Sequence, residues 1–125
     1  MTVGAAAPLQ AAGAAAMLLP ESYYAELAQK YAERRDLLLT ALRSAGFAAW
    51  KPRGAYYIMT DIPSFGAGND REFATQLVRD IGVAAVPGSS FYSPPGEGAW
   101  QMRFAFCKRQ ETLHAAIENL RKLVR

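Results

Sequence analysis

The chain has 125 residues, enough for one domain with a real core and too few for two ordinary ones. Hydrophobic residues make up 51% and charged residues 20%, a globular rather than a disordered balance. The formal net charge of +3 is only mildly basic, and its cations fall largely on helix-like stretches, which argues against a nucleic-acid partner.

The opening stretch, MTVGAAAPLQAAGAAAMLLP, lacks the positively charged front of a secretory leader. Pro8 and Gln10 interrupt its apolar run, and no segment reaches transmembrane length, so no membrane partner is expected. An alanine-rich helix from about Ala6 to Leu18 is predicted; with almost no charge to mark a water-facing side, it expects protein on most sides. Pro20 breaks the pattern, and Glu21 to Ser44 predicts a long amphipathic helix. Tyr24, Leu27, Tyr31, Leu38 and Leu42 form its apolar face, and Gly46 is its stop. FAAW, a KPRG turn and AYYIMTDI predict a β-hairpin in which Pro52 sets φ at the second turn position and Gly54 closes it. The loop IPSFGAGN follows, and Asn69 with Glu72 three residues on resembles a capping box opening a helix. Phe73, Leu77, Val78 and Ile81 are its buried stripe, and Gly82 ends it. VAAV predicts a short strand stopped by Pro87, and a loop rich in Pro, Gly and Ser runs from Pro87 to Gly98. The strand WQMRFAFC comes next, then a helix from about Gln110 to Val124 that buries Leu113, Ile117, Leu120 and Val124. The order α-α-β-β-α-β-β-α predicts an α+β fold, with helices layered on a small, mostly antiparallel sheet.

Three segments bear on chemistry. In WQMRFAFC the alternation of a strand puts Trp100, Met102, Phe104 and Phe106 on one face and Gln101, Arg103, Ala105 and Cys107 on the other. Arg103 is thus opposite the apolar face, with small residues following it that leave room in front. It reads either as an edge-strand arginine pointing into water or as a planar cation held above a pocket for an anion. RGAYYIM is a near miss to the aromatic strand of an RNA-recognition motif. Ala55 stands where the first stacking ring belongs and Tyr56 where a small residue belongs, so the ring turns to the wrong face. VPGSSFY offers Gly88, which allows close approach, and Ser89, which offers a donor, but it matches neither GxGxxG nor GxxxxGK[ST]. The single cysteine, Cys107, excludes an internal disulfide framework and a Cys-based zinc site. The single histidine, His114, has no metal-ligand companion at suitable spacing and reads as a helix boundary residue, so no metal is expected.

Taken together, LPESYYAELAQKYAERRDLLLTAL, GFAAWKPRGAYYIMTDI, DIGVAAVPGSSFY and MRFAFCKRQETLHAAIENL resemble the C-terminal third of a class I/II aminotransferase. This is the pyridoxal-phosphate family of the aspartate aminotransferase fold (fold type I), in its aspartate, aromatic and kynurenine-type branches. TVGAAAPLQAA is similar to the stretch that follows the cofactor lysine in that family. The resemblance implies a helical segment over residues 1–20 and the family's C-terminal small domain over 21–125. It implies that Arg103, in MRFAF, binds the substrate's α-carboxylate. Tyr56 resembles a residue near the substrate edge of the site, and Gly88 and Ser89 resemble a loop close to its mouth.

The family's chemistry moves an amino group from an amino acid to a 2-oxo acid through pyridoxal 5'-phosphate. Its cofactor lysine, the aspartate on the pyridine nitrogen and the phosphate cup all precede the stretch resembled here. Of Lys30, Lys51, Lys108 and Lys122, none lies in the family's Ser/Thr-Lys loop. The resemblance therefore implies a piece, or a separately made C-terminal domain, of a cytoplasmic aminotransferase, with no catalytic residue and no bound cofactor of its own. The implied partners are the amino acid and 2-oxo acid substrates, an N-terminal cofactor domain and a second copy in a homodimer. A stand-alone binding module that keeps this fold without the chemistry is the alternative. The lack of a cofactor lysine favours it, and Arg103 with its small neighbours speaks against it.

Overall fold

The computed structural model describes residues 4–62 and 65–124, so Pro63 and Ser64 of the expected IPSFGAGN loop lie outside the described residues. The elements are α1 (Ala7–Ala16), α2 (Glu21–Ser44), β1 (Ala48–Ala49), β2 (Tyr57–Asp61), α3 (Asp70–Gln76), β3 (Val86–Pro87), β4 (Gln101–Ala105) and α4 (Gln110–Leu120). They occur in the order expected. The chain divides into two units, Met1–Lys30 and Tyr31–Arg125.

The first unit holds α1 and the beginning of α2. Pro8 lies in the first turn of α1, where its missing N–H costs nothing, and no residue of α1 is buried. The Tyr24 hydroxyl donates to the Ala16 carbonyl, and Gln10 Nε2 donates to the Ala5 carbonyl at 2.7 Å. Tyr24 and Leu27, expected on a buried face, remain 37% and 39% exposed. The periodicity that places them on one side of α2 is real, but the buried core cluster draws no residue from this unit.

The second unit has a core. Leu38, Leu39 and Leu42 of α2 meet Ile58 of β2, Phe73 and Leu77 of the α3 region, Met102 and Phe104 of β4, and Leu113 and Leu120 of α4. Helices and sheet thus share one apolar layer, an α+β arrangement. Phe47 sits among Phe65, Phe73 and Phe104, with ring centroids 4.6, 6.0 and 5.2 Å away. It gets there through the end of α2. Gly46 takes φ 95°, its N–H donates to the Arg43 carbonyl and the Phe47 N–H to the Leu42 carbonyl, a Schellman closure that turns the chain into the core.

The sheet order is β1-β2-β4-β3, antiparallel throughout among the described strands. Ile58 and Thr60 of β2 face the core beside Met102 and Phe104, while Tyr57, Met59 and Asp61 share the other face with Gln101, Arg103 and Ala105. The Asn69 side chain accepts from the N–H groups of Arg71 and Glu72, the expected cap on α3.

Several local expectations give way to tertiary structure. In the hairpin connection Ala55 takes the left-handed conformation, with φ 61°. The α3 helix widens into a π-turn over Leu77–Ile81, which keeps Phe73, Leu77 and Ile81 inside and leaves Val78 exposed. The strand predicted at VAAV forms at Val86–Pro87 instead. Pro87 pairs with Met102 rather than ending the ladder, as an edge strand permits. Trp100, expected on the core face, is exposed, because the chain is still turning there, with Gln101 N–H bonded to the Gly98 carbonyl. The end of α4 tightens into a 3-10 turn over Arg121–Val124, which carries Val124 out of the core; Ile117 is only partly buried.

Candidate functional site

Arg103 does not lie at a sheet edge. β4 runs between β2 and β3, and Arg103 is paired with Met59 on one side and Val86 on the other. The two-residue period places its side chain opposite the core, where Ala105 pairs with Tyr57. The space left by these small neighbours is filled rather than open. The Arg103 Cζ lies 4.4 Å from the Phe91 ring centroid and 5.1 Å from that of Tyr57, so the guanidinium sits over two rings. Its Nε is buried and has no hydrogen-bond partner. A buried, unpaired donor on a charged group carries a desolvation cost that a bound acceptor would remove.

The loop after β3 supplies one of those rings. Gly88 to Phe91 forms a 3-10 turn, and Gly88 itself is buried. A Cβ on Gly88 would come within 2.6 Å of both the Gln101 Cβ and the Gly98 carbonyl oxygen, so only glycine fits this approach. The Ser89 N–H donates to Asp70 Oδ2 at 2.7 Å, while the Ser89 hydroxyl oxygen is buried without a partner. Tyr56 is 47% exposed; its ring meets that of Tyr57 edge to face at 5.5 Å, and its carbonyl accepts the Phe106 N–H.

Of the four residues singled out from the sequence, Arg103 forms the centre and Gly88 and Ser89 shape the loop beside it. Tyr56 joins only through Tyr57. Tyr57, Phe91 and Asp70 were not singled out. Alternation along AYYIM could have placed Tyr57 on the face of Arg103, but only strand register shows that the two meet. Nothing local marks Phe91 or Asp70.

No trio of His, Cys, Asp or Glu among the described residues is arranged to hold a metal. The four lysines are exposed: Lys30 pairs with Glu26, Lys51 with Asp36 and Lys122 with Asn119, and Lys108 sits just before α4. No helix among the described residues is long and apolar enough to cross a membrane.

Three comparisons with known proteins agree with this architecture. The family model described as "Aminotransferase class I and II" matches residues 1–120. A probable N-succinyldiaminopimelate aminotransferase of Mycobacterium tuberculosis is 36% identical over 122 residues, covering 91% of this chain and 31% of that protein. Kynurenine–oxoglutarate transaminase 1 of Rattus norvegicus is 34% identical over 116 residues, covering 82% of this chain and 27% of its own length. Among solved structures, an N-succinyldiaminopimelate aminotransferase from Mycobacterium tuberculosis matches with a TM-score of 0.84 at 37% identity, over 94% of this chain and 30% of that one. The chain therefore spans about a third of the length of these relatives.

Proposed function

Because the chain belongs to the class I and II aminotransferase family, we propose that it is the C-terminal part of a pyridoxal-phosphate-dependent aminotransferase and holds the substrate's α-carboxylate. The observation that carries this reading is Arg103, a guanidinium set over two rings in an interior strand, with a buried Nε that lacks an acceptor. A guanidinium presents parallel N–H donors to the two oxygens of a planar carboxylate, and a fixed plane makes the approach directional. Amino acid and 2-oxo acid share that carboxylate, so one arginine serves both halves of an amino-group exchange. By holding it, Arg103 captures either substrate by the one group the two share.

The described residues do not fit the cofactor, all four lysines being exposed. On this reading its lysine, its pyridine partner and its phosphate cup belong to an N-terminal cofactor domain. The intact enzyme is then a cytoplasmic homodimer. A binding module without catalysis is the second reading, favoured by the exposure of all four lysines.

The test is Arg103→Lys in the intact enzyme loaded with cofactor. The substitution keeps the charge and loses the two-pronged geometry. Loss of a charge-assisted pair of bonds is worth about 1.5–3 kcal/mol, so kcat/KM falls roughly tenfold to two-hundred-fold. The loss is similar for every amino acid and for the 2-oxo acid, and simple amines are unaffected. A loss confined to one side-chain class would overturn the carboxylate role.

A further inference from the structure

Asp70 is 2% exposed, an unusual place for a carboxylate. It opens α3 directly after the Asn69 cap, where the positive end of the helix favours an anion. Its contacts reach across the fold rather than along it. Oδ2 accepts the Ser89 N–H at 2.7 Å, and its own N–H donates to the Ala99 carbonyl at 2.8 Å. One residue thus ties both ends of the loop between β3 and β4. The Ser89 end is the start of the 3-10 turn whose last residue, Phe91, lies 4.4 Å from the Arg103 Cζ. The Ala99 end leads straight into β4, which carries Arg103.

Phe91 itself has little else to hold it, being 49% exposed. Its place over the guanidinium depends on the turn, and the turn depends on Gly88 packing against Gln101 and on the Asp70 carboxylate. Resting on the carboxylate reading of Arg103 given above, we infer that Asp70 is a positioning residue that, through Ser89, sets the turn stacking Phe91 on Arg103. The pair of rings then fixes the plane in which Arg103 meets a substrate carboxylate. Asp70 touches no substrate. It acts two residues removed, by holding a backbone N–H in place. This predicts that loosening the loop weakens carboxylate capture without slowing a bound substrate, because the reacting atoms are untouched.

The experiment uses the intact enzyme loaded with its cofactor, with pyruvate and alanine as probes and rates normalised to bound cofactor. Phe91→Ala and Asp70→Ala should each raise KM for both probes roughly threefold to twentyfold, as expected for a lost cation–π contact at a part-buried guanidinium, with kcat unchanged. The double variant should be no worse than the weaker of the two, because both remove the same stacking. Asp70→Asn, which keeps an acceptor oxygen for the Ser89 N–H, should stay close to the parent. Should Asp70→Ala not fold, Asp70→Glu takes its place, since it keeps the charge and displaces the acceptor by one methylene. Effects of the Asp70 and Phe91 variants that add in full, or a fall in kcat at constant KM, would overturn the inference and leave Asp70 a structural residue. Arg103→Lys is run alongside. If it raises KM while the Phe91 and Asp70 variants do not, only the clamp is wrong; if it leaves KM unchanged, the carboxylate reading falls and the clamp with it.

Discussion

At Gly88 a single methyl group would collide with backbone as well as side chain. A Cβ there would lie 2.6 Å from the Gly98 carbonyl oxygen and 2.8 Å from that of Gln101, neither of which can swing away like the end of a flexible chain. Gly98 mirrors it, with φ 71° and a Cβ position 2.7 Å from the Gly88 carbonyl carbon. The two glycines are therefore a matched contact between the β3 loop and the entry to β4. Gly88→Ala should destabilise the fold by about 1–3 kcal/mol, the usual cost of forcing atoms into a filled space. Urea unfolding followed by tryptophan fluorescence measures this, and an unchanged midpoint would show that the two backbones can separate freely. Substrate affinity should fall as well, since Phe91 is carried on the same turn.

Between elements, the clearest electrostatic tie joins α2 to the connection between β1 and β2. Asp36, on α2, accepts from Arg35 Nε at 2.8 Å and lies 3.1 Å from Lys51 Nζ in that connection. Hydrogen bonding to Arg35, then to Lys51, lowers the Asp36 carboxyl from an ordinary 3.8 to about 2. A carboxyl whose pKa is lower folded than unfolded binds protons more readily in the unfolded chain. Its contribution to stability is complete above about pH 4 and disappears as the pH falls through about 2. Asp36→Asn should therefore lower Tm at pH 6, and the difference from the parent should close between pH 4 and pH 2. All three groups are at least partly solvated, so the effect is small and salt should weaken it. A Tm gap that persists at pH 2 would assign the loss to packing instead. A second tie uses a backbone acceptor: Arg43 Nε and Nη2 donate to the Ala49 carbonyl at 3.1 and 2.9 Å, closing the β1 end of the sheet against α2.

Over the whole molecule, burial is distributed unevenly. The unit Tyr31–Arg125 holds every residue of the core cluster, whereas α1 buries nothing: Leu9 within it and Met17 and Leu18 just after it are 68%, 80% and 87% exposed. Amides opened only by global unfolding should thus be confined to the second unit. Hydrogen exchange should be slowest at Ile58, Thr60, Met102 and Phe104 and fast throughout α1. The uncovered apolar residues in and just after α1 should also drive self-association of the isolated chain, raising the mass seen by light scattering with concentration. A monomer whose α1 amides are protected as well as those of β4 would contradict both expectations.

Local chemistry made much of this protein legible in its sequence. The bounds of α2, the Asn69 cap, the glycine stops at Gly46 and Gly82 and the inward faces of Met102, Phe104 and Phe106 follow from periodicity and capping, which need only neighbouring residues. The same alternation set Arg103 apart from the core. Tertiary structure alone decided what surrounds that arginine. Its strand became interior rather than edge because β2 and β3 both pair with it. Tyr57 and Phe91 reached the guanidinium from two separate segments, one by strand register and one by a turn held from Asp70. Val78, Trp100 and Val124 were misplaced for the related reason that a π-turn, a late turn and a 3-10 turn each broke the local period. Periodicity reports which side of its own element a residue occupies. Which residue waits on that side depends on contacts between segments far apart in the chain, and no local pattern encodes them.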